Sequence, residues 1–318
     1  MMWTKGLSES VVYADLSDLG LIGVRGNDVE LFLQGQLTND VRKLANSEVQ
    51  YNGMCTPKGR LLASFLMWRR AGEWFIQLPA HLQESIQKRL TMYVLRAQVS
   101  LSDVREQWVR IGLAGSGAEA LIARLSVSVP SAAMRSAENG FLDVLRLDQE
   151  RFQLVVRKDM AENVLATLAQ EASLIDAAQW QWLEIQAGIP SIVSATQEQF
   201  VPQMVNFDLI QGVDFKKGCY TGQEIVARMH YLGKLKRRMY GVHSQMPMTP
   251  GDEIFSPDVP GQATGMIVNA QPAPAGGWDA LAVIQVSSAL GYPLSLKAVD
   301  GELLSLWNLP YAVTVPNA

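Results

Sequence analysis

Two segments of the chain repeat one pattern. VRGNDVELFL (24–33) and LAGSGAEALI (113–122) each pass from a β-prone run, through a turn that contains glycine, into residues with helical apolar spacing. A chain that repeats a strand-turn-helix unit is expected to form related α+β lobes, not a helical bundle or an all-β sandwich. The neighbouring segments agree. LGLIGVRG (19–26) reads as a strand, and Asn27 with Glu30 has the spacing of a capping box for a helix through Val29, Phe32, Leu33 and Leu37. RLLASFLMWRRAGEWFIQLP reads as two strands turning at Ala71-Gly72, after which Leu82, Ile86 and Leu90 recur at helical spacing. Strands at FLDVLRL and FQLVVR lead to a helix near 159–171. Another helix starts at Asp176, sets Trp180, Leu183 and Ala187 on one face and stops at Gly188. From about Arg238 the pattern changes to short β-prone runs spaced by Gly, Pro and Asp, which read as a small C-terminal β-barrel or sandwich. The expected organisation is an α+β region of two interleaved lobes over 1–235 and a β-barrel over 236–318.

Composition removes several classes of function. The longest uncharged apolar run, LLASFLMW (61–68), is too short to span a bilayer, and MMWTKGLSESVVYADL at the start lacks the apolar core of a secretory signal. A cytoplasmic protein with no membrane partner is expected. The two cysteines, Cys55 and Cys219, do not make a disulfide framework and are too few for a four-ligand zinc or iron–sulfur site in one chain. His81, His230 and His243 are scattered, so no metal site is expected. The net charge of −4 argues against nucleic-acid binding by the whole surface and leaves room only for a local patch.

Within FKKGCYTGQEIVARM, Thr221 and Glu224 have capping-box spacing, with Ile225, Val226 and Met229 as an apolar face behind them. Cys219 would then lie just ahead of a helix N-terminus and beside Lys216 and Lys217, an environment that favours a thiolate titrating between roughly 3.5 and 7.5. Gly218 and Gly222 allow tight turns. The plainer reading, a small buried side chain, is kept for Cys55, which has no helix start beside it. GSGAEA (115–120) formally matches a dinucleotide fingerprint. The position about 20 residues on, where an acid should hold the ribose, falls in SAENG, which reads as a turn, so a tight strand-helix turn is preferred. RMHYLGKLKRR (228–238) interleaves cations with Tyr231 and suits either a phosphate backbone or a solvated linker. Trp180 and Trp182 cannot share one helix face; one is expected in the core and the other at a pocket where an indole could stack on a heteroaromatic ligand.

The long motif KGCYTGQE (Lys217, Gly218, Cys219, Tyr220, Thr221, Gly222, Gln223, Glu224), with FVPQMVNFDLIQGVDFK before it and IVAR after it, resembles that of the YgfZ-type folate-binding family. DLSDLGLIGVRGNDVELFLQGQLTNDV is similar to the N-terminal part of the broader group that includes the glycine-cleavage aminomethyltransferases, and GQATGMIVNAQ to their C-terminal barrel. The resemblance implies an aminomethyltransferase-like ring of two α/β lobes plus a C-terminal β-barrel, with tetrahydrofolate bound centrally. It also implies work in iron–sulfur protein maintenance and tRNA modification, with tRNA, tRNA-modifying enzymes or iron–sulfur proteins as partners. Cys219 is then the working group, and the folate contacts fall at Trp180 and at Leu19, where relatives can carry a second tryptophan. Aminomethyltransferases place an acidic pair where this chain has Leu62 and Ala63 in KGRLLASF, and a leucine cannot move a proton. Two other readings stay open: a tetrahydrofolate-dependent aminomethyl or methyl transferase on a small amine, and an RNA-binding module using 228–238.

Overall fold

The computed structural model describes residues 10–233 and 235–313. They divide into two compact units. The first holds the residues through Gln34, Val41–Tyr51 and Phe65–Trp180; the second holds Gly35–Asp40, Asn52–Ser64 and the residues from Gln181.

The elements begin with β1 (Val11–Asp15), β2 (Leu19–Arg25), α1 (Val29–Gln34), β3 (Val49–Cys55), β4 (Leu61–Arg70), β5 (Glu73–Pro79), α2 (Ala80–Met92) and β6 (Ser100–Asp103). They continue with β7 (Trp108–Ala114), α3 (Ala118–Arg124), β8 (Arg135–Asn139), β9 (Leu142–Arg146), β10 (Arg151–Arg157), α4 (Ala161–Leu168), β11 (Ala172–Ile175) and α5 (Ala177–Gln186). One sheet of the first unit has the order β11-β1-β7-β10-β9-β8, the other β3-β4-β5-β2-β6. Strands β3 and β4 and helix α5 contribute residues to both units.

Strand alternation sorts β7 and β10 into two faces. Ile111, Leu113, Phe152, Leu154 and Val156 point to one side, where Leu121 and Ile122 of α3 and Val164 and Leu168 of α4 complete a dry core. Each of these large side chains contributes about 1.5–3 kcal/mol on burial. The opposite face meets the second sheet through polar side chains. The amides of Gln77 and Gln153 exchange hydrogen bonds at 2.9 and 2.5 Å. Asp143 accepts from Trp68 Nε1 at 3.1 Å and from Arg70 at 2.6 Å. Burial nevertheless raises the Asp143 carboxyl to about 6 against the pull of Arg70 and Trp68.

The repeated strand-turn-helix unit is visible in the backbone. Gly26 and Gly115, the turn residues of the two copies, have φ of 132° and 122°. A Cβ at Gly26 would come within 1.9 Å of the Gln98 carbonyl oxygen, and one at Gly117 within 2.8 Å of Val11. The glycines of GSGAEA thus serve close packing in a tight strand-helix turn, as preferred from the sequence. Ala71 and Gly72, with φ of 46° and 82°, make the β4–β5 turn. Asp176 and Gln179 cap α5 reciprocally, at 2.7 and 3.1 Å, and Gly188 follows it at φ 68°.

Three local expectations are corrected. Helix α1 ends at Gln34 and excludes Leu37, which bridges to Met54. Asn27 turns its amide to Gln98 instead of capping α1. Residues 136–139 of SAENG lie in β8, and only Gly140 is in the turn to β9.

The second unit adds α6 (Gln223–Tyr231), β12 (Arg237–Ser244), β13 (Glu253–Phe255), β14 (Gly265–Pro272), β15 (Trp278–Gln285), α7 (Val286–Gly291), β16 (Ser295–Leu296) and β17 (Ser305–Trp307). Its strands form one antiparallel sheet in the order β16-β13-β14-β15-β12-β17, a half-barrel with a register shift between Ile267 and Asn269. Met239, Val268, Leu281 and Val283 on one face of that sheet pack with Cys55, Leu61, Phe200, Phe207 and Val226 into a core. Among the described residues no helix is long and apolar enough to cross a membrane.

Candidate functional site

The loop 215–222 of the second unit is fastened at both ends. At its start, Phe215 stacks on His230 near the end of α6, with ring centroids 3.7 Å apart. At its end, Gly222 takes φ 85° and precedes α6 as its N-cap. A Cβ on Gly222 would lie 2.4 Å from the Thr56 carbonyl oxygen and 2.9 Å from the Cα of Gly59, itself at φ 69°. Two glycines therefore let the motif backbone rest directly on the Thr56–Gly59 turn.

Between these ends, Lys217 and Tyr220 are buried. Lys217 is 5% exposed, and its Nζ donates to the carbonyls of Leu37 at 2.5 Å and Asn39 at 2.8 Å. It also lies 4.9 Å from the centre of the Tyr220 ring, a cation–π contact. Tyr220 is buried, and burial first, then the neighbouring Cys55, pushes its hydroxyl pKa upward. Gln223 Nε2 closes the turn onto the Lys217 carbonyl at 3.3 Å. Gly218 and Cys219, in between, are exposed. The arrangement holds one thiol in solvent between two anchored side chains. Cys55 is the opposite case: it is 1% exposed, and burial pushes its thiol up to about 12.

The expected capping box at Thr221 and Glu224 does not form. Gly222 is the N-cap, no side chain caps the helix, and α6 begins at Gln223, beyond the backbone reversal that the positive φ at 222 creates. Lys217, expected as a free cation beside the thiol, directs its ammonium to main-chain carbonyls instead. Of the lysine pair, Lys216 is the exposed member.

Residues the sequence reading passed over build the seat of this loop. Thr38, fully buried, donates to the Gly212 carbonyl at 2.7 Å and accepts from the Gly53 N–H at 2.8 Å. Asn39 donates its amide to the Gln211 carbonyl at 2.6 Å, and its own N–H bonds Asn52 Oδ1 at 3.0 Å. The Asp214 N–H returns to the Thr38 carbonyl at 3.1 Å. Thr38, Asn39 and Asp40 of LTND (37–40) are all buried, and no local pattern in the sequence marks them as a hub.

The patch 228–238 is broken up by the fold. Arg238 is 4% exposed and gives its guanidinium to Asp208, at 2.7 and 2.9 Å, and to the Gln203 carbonyl. Lys234 lies outside the described residues. Arg228, Tyr231, Lys236 and Arg237 are exposed. At the positions of the aminomethyltransferase acids, Leu62 and Ala63 are buried, and the Leu62 carbonyl accepts from Gln197 at 2.7 Å.

Leu19 and Trp180 belong to the first unit. Trp180 is 3% exposed, and its ring fills the space over Gly112, where a Cβ would lie 2.5 Å from it. Arg110, two residues earlier on the same face of β7, donates to the Leu19 carbonyl at 2.7 Å. It is buried, and its Nε–H has no acceptor. Burial lowers its pKa, with Asp15 the strongest opposing charge. Leu19 and Trp180 thus share one neighbourhood through β7. Trp182 is also buried, with its Nε1 on Asp279 at 2.8 Å, so neither indole presents an open face.

Residues 4–138 match the model of the GCVT N-terminal domain family. The chain is 35% identical to the tRNA-modifying protein YgfZ of Klebsiella pneumoniae (strain 342) over 237 residues, 73% of this chain and 72% of that protein. It is 32% identical to the tRNA-modifying protein YgfZ of Yersinia pestis (strain Pestoides F) over 304 residues, 94% and 92% of the two chains. Among solved structures, the glycine cleavage system aminomethyltransferase T from Bartonella henselae superposes with a TM-score of 0.79 at 17% identity, covering 95% of this chain and 86% of that one, which establishes an aminomethyltransferase-like α+β fold. The KGCYTGQE loop therefore sits in a chain that belongs to the YgfZ family.

Proposed function

We propose that this protein is a folate-binding accessory factor in tRNA modification and iron–sulfur protein maintenance, with the Cys219 thiol as its working group. The observation that carries the reading is the presentation of Cys219: exposed, while on either side Lys217 is buried and bonded to main-chain carbonyls and Tyr220 is buried with its ring against that ammonium. A fold with no use for this thiol would gain nothing from fixing the loop around it. The name of the relatives, tRNA-modifying protein, supports the process. The thiol can form a mixed disulfide, lend a ligand to a cluster in transit, or attack a one-carbon unit, and all three need it accessible.

Tetrahydrofolate supplies a one-carbon carrier when bound. The residues that would hold it are Arg110, whose buried Nε–H lacks an acceptor that a pterin carbonyl or ring nitrogen would provide, and Trp180 beside it. Because the Trp180 ring is packed on Gly112, its contribution is an edge contact and wall, and Leu19 adds an aliphatic surface in place of a second indole. A transferase acting on a small amine is disfavoured, since buried Leu62 and Ala63 offer no acid or base.

The test is a pair of measurements on wild type and Cys219→Ala. Both should bind tetrahydrofolate equally by calorimetry, and only wild type should restore tRNA modification and iron–sulfur enzyme activity in a deletion strain. Full restoration by Cys219→Ala removes the thiol from the mechanism. Absence of binding by wild type removes folate. Turnover in a glycine-cleavage half-reaction would favour the transferase.

A further inference from the structure

One face of the C-terminal sheet carries a feature that neither the folate reading nor the Cys219 loop uses. A cavity of about 280 Å³ is lined by Gln199, Phe200, Arg237, Glu253, Met266 and Val283, with Ala263 and Gly265 completing it. All lie in the second unit.

The strand register explains the arrangement. Glu253 of β13 pairs with Met266 of β14, Met266 with Val283 of β15, and Val283 with Met239 of β12. These four residues form one row across the sheet, and their side chains share a face. Arg237 precedes Met239 by two positions on β12, so it projects to that same face. Met239 and Val283 belong to the dry core, and Met266 packs against it. The row is therefore an apolar floor with a carboxylate at one end and a guanidinium toward the other.

The two charges do not neutralise each other. Three inter-strand steps of roughly 4.8 Å, about 14 Å in all, separate β13 from β12. Among the described residues neither side chain has an ion-pair partner: Arg237 makes a single 3.5 Å approach to the Ala263 carbonyl, and the Glu253 carboxylate has no hydrogen-bond partner. By contrast, the adjacent Arg238 and Asp252 are each paired, with Asp208 and Lys297.

We propose that this cavity is a binding site for a small linear ω-amino acid, whose ammonium and carboxylate stand at opposite ends of an aliphatic chain. The ligand carboxylate would take the two-pronged guanidinium of Arg237, its ammonium the Glu253 carboxylate, and its aliphatic part the Met266–Val283 floor, with the Gln199 amide at the rim. The volume of about 280 Å³ suits a small ligand.

The test is calorimetric titration of the protein with linear ω-amino acids, and with the matching des-amino carboxylates and decarboxylated amines, with α-amino acids, which carry both charges on one carbon, as the control. At least one ω-amino acid should bind saturably, with both of its truncated analogues weaker by about tenfold or more. Glu253→Gln should abolish the preference over the des-amino carboxylate, and Arg237→Gln the preference over the amine. Both residues are exposed and unpaired, so the variants should unfold at the wild-type temperature, and tetrahydrofolate binding serves as a second check of integrity. The proposal is overturned if no ω-amino acid binds, if α-amino acids or the truncated analogues bind as well, or if binding survives both substitutions unchanged.

Discussion

The ammonium of Lys217 donates to the main-chain carbonyl of Asn39 at 2.8 Å across 178 residues of sequence. This bond joins the motif to the LTND hub and explains why a lysine stands two residues before the cysteine. A buried ammonium is tolerated where carbonyl oxygens replace its hydration, and here Leu37 and Asn39 supply two. The cation thus serves the placement of Cys219.

Replacing Lys217 with Met should therefore destabilise the protein by about 2–4 kcal/mol, because two buried carbonyls lose their donor. Urea denaturation measures the loss, and limited proteolysis should show new cleavage between 215 and 222. Lys217→Arg should not rescue it, since a planar guanidinium cannot converge on two carbonyls as a compact ammonium does. Wild-type stability in Lys217→Met would show that the two bonds are incidental.

The two glycines of the motif should respond in opposite ways. Gly222→Ala forces a side chain into φ 85° and within 2.4 Å of the Thr56 carbonyl, and should cost about 1–3 kcal/mol. Gly218→Ala meets nothing within 4 Å and should stay within about 0.5 kcal/mol of wild type. Thermal unfolding of the pair separates a glycine required by the backbone from one that merely occurs in the motif. Equal shifts would contradict the described contact with the Thr56–Gly59 turn.

Much of the fold was legible because it rests on periodicity. The β4–β5 turn at Ala71-Gly72, the start of α5 at Asp176 and its stop at Gly188 all follow from local backbone chemistry that acts over a few residues. The site was legible only as a motif. Thr221 and Glu224 had correct capping-box spacing, yet the tertiary contact of Gly222 with Gly59 moved the helix start by imposing a positive φ that overrides the local preference. The hub at Thr38 and Asn39 was hidden for a related reason. Its partners at Gly212, Gln211 and Lys217 lie more than 170 positions away, and no local pattern records them. Arg238 looked like part of a basic surface because Asp208, its partner, is thirty residues upstream.

The two cysteines should be distinguishable without any substitution. Cys219 is exposed, whereas Cys55 is buried with its thiol held near 12 by desolvation. Iodoacetamide at neutral pH should modify Cys219 in the native protein and reach Cys55 only after denaturation, as read by peptide mass spectrometry. Labelling of Cys55 at a comparable rate would mean that the core around Leu61 and Val226 opens readily.

Asp143 lies between the two sheets of the first unit, bonded to Trp68 and Arg70. Its carboxyl is raised from 3.8 to about 6, so between those values the folded protein holds a proton that the unfolded chain has released. Stability from this group is therefore fully present below about pH 3.8 and is lost as pH rises through about 6. The total change is on the order of 3 kcal/mol. Asp143→Asn cannot titrate, and it can still accept from Trp68, while Arg70 retains the Asn139 carbonyl at 2.8 Å. Unfolding free energies of wild type and Asp143→Asn, measured from pH 4 to 8, should then differ by an amount that moves steadily against the wild type up to about pH 6 and is flat above pH 7. Parallel curves would place the Asp143 titration outside this window and would mean that Arg70 and Trp68 fully offset its burial.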